Sequence, residues 1–151
     1  MSWSAKLAEL GIELPAVAAP VAAYVPAVRT GSLVYTSGQL PFVSGALAAT
    51  GKVGGEIGAD EAKQHARTCA LNALAAVHAL VGIDSVVRVV KVVGFVASAE
   101  GFTGQPAVVN GASELFGEVF GDAGVHARSA VGVAELPLGA PVEVELIVEV
   151  A

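Results

Sequence analysis

Val86-Val87-Arg88-Val89-Val90-Lys91-Val92-Val93-Gly94-Phe95-Val96 decides the architecture of this 151-residue chain. β-Branched residues occupy both alternating faces of the run, and only Arg88, Lys91 and Gly94 interrupt the apolar pattern. It reads as a central strand covered on both sides. The run is too short to cross a bilayer and carries two cations, so it is not a membrane span.

On its C-terminal side, a helix begins near Thr103 to Pro106 and buries Val109, Ala112, Phe116, Val119 and Phe120. His126 to Ala134 and Val142 to Val150 then read as two strands, separated by Glu135 to Ala140. On its N-terminal side, Asp60 offers an N-cap. Ala62, Ala66, Cys69, Ala73, Leu74, Val77, Leu80 and Val81 follow at three- and four-residue steps, and Gly82 supplies the stop.

Further upstream, the Gly-rich passage through Gly45, Gly51, Gly54, Gly55 and Gly58 has weak periodicity and reads mostly as loop, with room for one edge strand. Tyr24 to Arg29 and Leu33 to Thr36 form a hairpin about Thr30-Gly31-Ser32. Trp3, Leu7, Leu10 and Ile12 give a short amphipathic helix ended by Gly11 and Pro15, and the Pro- and Ala-rich stretch after it cannot continue that helix. The chain reads as one domain over residues 1–151, with residues 1–15 as an N-terminal helical extension.

Two long helices suffice for one face of a sheet of five or six strands, yet the Val86 to Val96 strand is apolar on both faces. A second copy of the chain is the economical cover for the other face. The expected state is therefore a homo-oligomer whose sheets pack on one another.

Composition narrows the function. Apolar residues make up 54% of the chain and aromatic ones 5%, enough for a packed core built mainly of Ala and Val. Eight Lys and Arg stand against 14 Asp and Glu, a formal net charge of −6, and the cations never cluster, which argues against a nucleic-acid partner. Leu14 to Val28 is broken by Pro15, Pro20 and Pro26, so no membrane partner is expected either. The N-terminus lacks the unbroken apolar stretch of a secretory signal. Cys69 is the single cysteine, which excludes an internal disulfide and fits a reducing cytoplasm.

Few residues have the spacing that catalysis or ligation needs. His65, His78 and His126 share no metal-ligand spacing, so no metal site is assigned and a solvated or structural role is expected. Gly51 to Gly55 lacks the Lys-Ser/Thr ending of a P-loop. No Gly-x-Ser-x-Gly elbow surrounds Ser129, and Ser37 has no identifiable base. Cys69 lies on an apolar helix stripe and reads as a buried, inert thiol. In the last strand Val142, Val144, Leu146, Val148 and Val150 point one way, and Glu143, Glu145, Ile147 and Glu149 the other. A carboxylate covered by a second copy there needs a partner or a task, and Arg128, at the start of the neighbouring strand, is the only nearby cation in sequence.

Ser37-Gly38-Gln39-Leu40-Pro41, Ala127-Arg128-Ser129, Leu136-Pro137 and Val142-Glu143-Val144-Glu145 occur in an order and spacing that resembles the reactive intermediate deaminase (RidA, also YjgF or L-PSP) family, from about Tyr24 to the C-terminus. The resemblance implies an α+β, chorismate mutase-like fold: a mixed β-sheet with two main helices on one face, assembled as a homotrimer with clefts between subunits. It also implies hydrolysis of enamines and imines, such as 2-aminoacrylate-like imino acids, to 2-keto acids and ammonia. Within it Arg128 matches the arginine that grips the substrate carboxylate, and Glu143 the first glutamate of the last strand. Tyr24 and Ser37 match cleft residues, and Asn110 matches a helix asparagine if one residue is inserted between it and Arg128. The chain departs from the family in its added N-terminal segment, its longer Gly-rich connection, His126 in place of proline and Ala130 in place of cysteine. These departures look like marks of a divergent branch of longer members.

Under that resemblance Arg128 would hold the carboxylate through two parallel charge-assisted hydrogen bonds. Glu143 would orient or activate the water that attacks the imine carbon. Tyr24, Ser37 and Asn110 would bound the site, and no metal or organic cofactor is required. A trimer that binds small carboxylates without turning them over, or acts like a chaperone, is the alternative. The ribonuclease label attached to parts of the family conflicts with the acidic balance.

Overall fold

The computed structural model describes residues 2–17 and 23–151, so residues 18–22 of the Pro- and Ala-rich stretch lie outside the described residues. The elements in chain order are α1 (Trp3–Glu9), β1 (Ala27–Thr30), β2 (Leu33–Thr36), β3 (Phe42–Val43), β4 (Ala46–Leu47), α2 (Ala59–Val81), β5 (Val86–Ala97), α3 (Gln105–Phe120), β6 (Ala127–Val133) and β7 (Val142–Val150). Five strands form one sheet in the order β1-β2-β7-β5-β6. Every pairing in it is antiparallel except that of β5 with β6. A parallel pair needs a long crossover, and α3 provides it.

The fold is a mixed α+β arrangement with α2 and α3 packed together on one face of the sheet. Val142, Val144, Leu146, Val148 and Val150 are all buried beneath these helices, as the alternation of the last strand requires. The helices approach closely because the buried side of α2 is largely alanine. At Gly111 of α3 an added Cβ would collide with the Lys63 backbone carbonyl of α2. Gly94 plays the same part between sheet and helix, since a side chain there would strike Val109.

The other face of the sheet is covered by neither α2 nor α3. Val28, Tyr35 and Val131 lie on it, 53%, 43% and 42% exposed, beside the half-buried Val93, Phe95 and Ile147. The apolar character of both faces of β5 is therefore satisfied on one side only within a single chain.

Several sequence expectations shift. β7, rather than β5, is the central strand, and β5 lies one place in from the edge formed by β6. The strands carrying Arg128 and Glu143 are therefore not neighbours. β1 starts at Ala27 instead of Tyr24, because Pro26 has no N–H to give to a ladder; its carbonyl accepts from the Ser37 N–H instead. Gly58, not Asp60, occupies the N-cap of α2, and Asp60 and Glu61 lie in the first turn, where carboxylates favour the positive end of the helix. The Gly-rich passage opens in the turn of the short β3–β4 hairpin, a separate two-stranded sheet in place of one edge strand, and is pinned through Val53, which is fully buried and bridges both Ile57 and Ser98.

α1 docks at the far end of the body. The Trp3 indole Nε1–H donates to the Val86 carbonyl at 2.7 Å, and its ring meets Phe120 edge-on at 5.1 Å between centroids. Asp84 accepts from both the Ser4 N–H and its hydroxyl.

Candidate functional site

Arg128 lies on β6 in parallel register with Val92, whose side chain is buried on the helix side of the sheet. Its guanidinium accordingly reaches α3. Nη1 donates to Asn110 Oδ1 at 2.7 Å and to Ser113 Oγ at 3.2 Å. Asn110 and Ser113 are three residues apart and share one helix face, which lets both meet a single nitrogen. Ser113 Oγ is also 2.8 Å from His126 Nε2, and His126 Nδ1 is 2.6 Å from the Gly124 carbonyl. The His126 ring is held edge-on to Phe116 with centroids 5.9 Å apart.

Among the described residues no carboxylate forms an ion pair with Arg128, and its Nε and Nη2 have no hydrogen-bond partner. These two nitrogens form one edge of the guanidinium, the edge that can donate two parallel hydrogen bonds to a carboxylate. Of the other cations, Lys6, Lys52, Lys63 and Arg67 pair with glutamates, whereas Arg29, Arg88 and Lys91 form no ion pair among the described residues.

Glu143 stands opposite Phe95 and alternates with the buried Val142 and Val144, so it occupies the face that the helices leave open. It is half-buried. Burial, and then the neighbouring charge of Glu145, raise its carboxyl above the usual 4.5. The carboxylate lies directly against Gly38: a Cβ at that glycine would come within 2.6 Å of Glu143 Oε1. Gln39 fixes this approach by exchanging two backbone hydrogen bonds with Val144, at 2.8 and 3.0 Å. Glycine in Ser37-Gly38-Gln39 thus lets the carboxylate lie directly against the turn.

The Ser37 hydroxyl donates to the Val25 carbonyl at 2.6 Å, which ties the end of β2 to the segment carrying Tyr24. Tyr24 itself is 57% exposed. One chain therefore presents two separate groups. Arg128 and Asn110 are joined on the helix side of the sheet edge, and Glu143 lies beside the Ser37-Gly38 turn on the opposite face.

Sequence reasoning missed Ser113 altogether and gave His126 no site role. Two spacings carried the signal: Asn110 and Ser113 one helical turn apart, and His126 and Arg128 two residues apart on an extended segment. The remaining chemistry-bearing residues are structural. Cys69 is fully buried with its thiol on the Val142 carbonyl, and burial followed by the Glu143 charge pushes the thiol well above its usual range. His65 pairs with Glu61 at 3.0 Å, and His78 Nδ1 accepts from the Ile83 N–H. Among the described residues no group of three or more His, Cys, Asp or Glu could hold a metal ion, and no helix is long and apolar enough to cross a membrane.

A family model described as Endoribonuclease L-PSP matches residues 15–150, beginning just beyond α1. The chain is similar to Protein TCP17 of Trypanosoma cruzi, with 47% identity over 148 residues that cover 97% of this chain and 92% of that protein. A crystal structure of a protein of unknown function from Agrobacterium tumefaciens is 45% identical, with a TM-score of 0.91 and coverage of 99% and 92% of the two chains. The crystal structure of E. coli TdcF with bound serine is 26% identical, with a TM-score of 0.65 and coverage of 90% and 94%.

Proposed function

The chain belongs to the Endoribonuclease L-PSP family, which includes the RidA and YjgF proteins, and within that family we propose that it hydrolyses small imino acids to 2-keto acids and ammonia. The observation that carries this reading is the guanidinium of Arg128. Asn110 and Ser113 hold it by Nη1 alone, leaving an unpaired two-nitrogen edge at the end of the sheet. Such an edge suits a carboxylate, and the serine bound in the related TdcF structure is a small molecule of that class.

In this reading a homotrimer completes the site. Arg128 and Asn110 of one copy meet Glu143, Tyr24 and Ser37 of the next, because a single sheet turns the two groups to opposite faces. Arg128 fixes the substrate carboxylate and hence the imine carbon. Glu143 takes a proton from water as the water oxygen bonds to that carbon, forming a carbinolamine. That proton passes to the imine nitrogen, Glu143 then carries the carbinol hydroxyl proton to the same nitrogen, and the C–N bond breaks to release ketone and ammonia. Partial burial, and then the Glu145 charge, raise this carboxyl above 4.5, which makes it a better proton acceptor than a solvated carboxylate. Tyr24 and Ser37 bound the cleft, and neither metal nor organic cofactor enters the scheme. The reaction places the protein where reactive imines are released, with the cytoplasm as the compartment.

The test is ketone formation from freshly generated 2-aminoacrylate or a longer imino acid, measured on protein of verified oligomeric mass. Absence of turnover on every imine, together with binding of a keto acid at Arg128, would replace this reading with that of a carboxylate-binding trimer.

A further inference from the structure

We propose that Ser113 and His126 form a directional hydrogen-bond relay that sets the orientation of Arg128, making both of them positioning residues. The inference rests on the reading of Arg128 as the carboxylate grip and adds what holds that grip in place.

The direction follows from which groups can only give and which can only receive. A carbonyl oxygen has no proton, so the 2.6 Å contact between Gly124 O and His126 Nδ1 requires the hydrogen to be on Nδ1. In the neutral ring that leaves Nε2 as an acceptor. At the other end, a guanidinium has only donors, so the Ser113 oxygen accepts from Arg128 Nη1. The one proton of the Ser113 hydroxyl is then directed to His126 Nε2, 2.8 Å away. Every donor in the row Arg128, Ser113, His126, Gly124 has one acceptor, and the order cannot be reversed at either end.

The relay fixes a rotational choice. An arginine at a sheet edge can turn either of its faces outward, and each rotation would offer a different pair of nitrogens. Asn110 alone is a single point of attachment, about which the guanidinium can still swing. Ser113 adds a second contact on the same Nη1, and His126 denies the serine hydroxyl the freedom to rotate away. The His126 ring is in turn clamped by Phe116 and the Gly124 carbonyl. The outcome is that Nη1 faces α3 and the Nε and Nη2 edge is left without a protein partner among the described residues.

Two arms test this. Without ligand, nitrogen NMR of the full-length protein should show His126 as the Nδ1–H tautomer, and the Arg128 Nη1 protons should exchange more slowly than in Ser113→Ala. With 2-oxobutanoate as the probe in titration calorimetry, Ser113→Ala should bind about ten-fold more weakly, the loss expected of one hydrogen bond to a charged group. Ser113→Thr, which keeps the hydroxyl, should recover most of the affinity. His126→Phe keeps the ring contact with Phe116 and should resemble Ser113→Ala. In an Arg128→Ala background Ser113→Ala should have no further effect, since residues acting through one another are not additive.

An Nε2–H tautomer in the wild-type protein would overturn the relay. An equal loss from Ser113→Ala with and without Arg128 would do the same, because that pattern marks a merely structural serine. Wild-type protein that shows the Nδ1–H tautomer and slow Nη1 exchange but binds no keto acid would uphold the relay and overturn the proposed function.

Discussion

Arg128 and Glu143 project from opposite faces of one sheet. Arg128, level with Val92, reaches toward α3, whereas Glu143, level with Phe95, stands on the face that α2 and α3 leave open, and β5 separates the strands that carry them. No side-chain rotation within one chain brings the two together. Copies related by a closed rotation, each giving a different patch to its neighbour, can do so.

Arg128 should be the position most sensitive to substitution. Arg128→Ala is expected to weaken keto-acid binding by roughly ten- to hundred-fold, from the loss of hydrogen bonds to a charged group. Arg128→Lys keeps the charge but loses the planar fork and should behave like Arg128→Ala. Steady-state ketone formation and calorimetric binding check both; full activity in either variant, with oligomeric mass intact, would rule out the clamp.

Glu143→Gln should lower turnover by about 10²- to 10⁴-fold if the carboxylate is the base, with much smaller change in keto-acid affinity. The same substitution has a stability signature of known sign. The folded-state carboxyl is raised above 4.5, so between the unfolded and folded values the native chain binds the extra proton. Stability contributed by Glu143 therefore falls as pH rises through that window, and Glu143→Gln removes the fall. Denaturant unfolding of the two proteins at a series of pH values, with the gap widening upward from about pH 4.5, is the expected record.

Gly38→Ala probes the glutamate without touching it chemically. Its Cβ would meet the far end of the Glu143 side chain, which can move aside, so the fold should persist while the carboxylate is displaced. Turnover should drop by about ten- to hundred-fold, the scale on which small misplacements act. Unchanged turnover would show that the position of this carboxylate is immaterial.

The face bearing Val93, Phe95 and Val131 should be the assembly surface. Light scattering at micromolar concentration is expected to give three times the chain mass for the wild type and a lower mass for Phe95→Glu, which places a charge among those side chains. Activity should vanish with assembly, since each copy carries only part of the site. A monomeric wild type that retains turnover would remove both claims.

Much of this was legible in the residue pattern. The alternation of Val142 to Val150 placed Glu143 on the correct side of the sheet, and the three- and four-residue steps of α2 gave its buried stripe from Ala62 to Val77 and its end at Gly82, whereas Leu80, read as part of that stripe, is 45% exposed. What the pattern could not convey was strand order. Periodicity describes a strand's two faces but not its lateral neighbours, so β6 and β7 passed for adjacent although β5 lies between them. The same gap hid Ser113, whose importance comes from a strand lying opposite α3 and not from any local motif. Tyr24 to Pro26 read as strand because alternation ignores the missing N–H of Pro26.

The single tryptophan of the chain is the one that fastens α1, with its indole on the Val86 carbonyl and the edge of Phe120. Intrinsic indole emission is therefore a local optical reporter of that seam. Release of α1 would shift the signal while the sheet and its two long helices stayed intact, so a fluorescence transition that precedes the loss of circular dichroism would mark undocking of the N-terminal helix as an event separate from global unfolding.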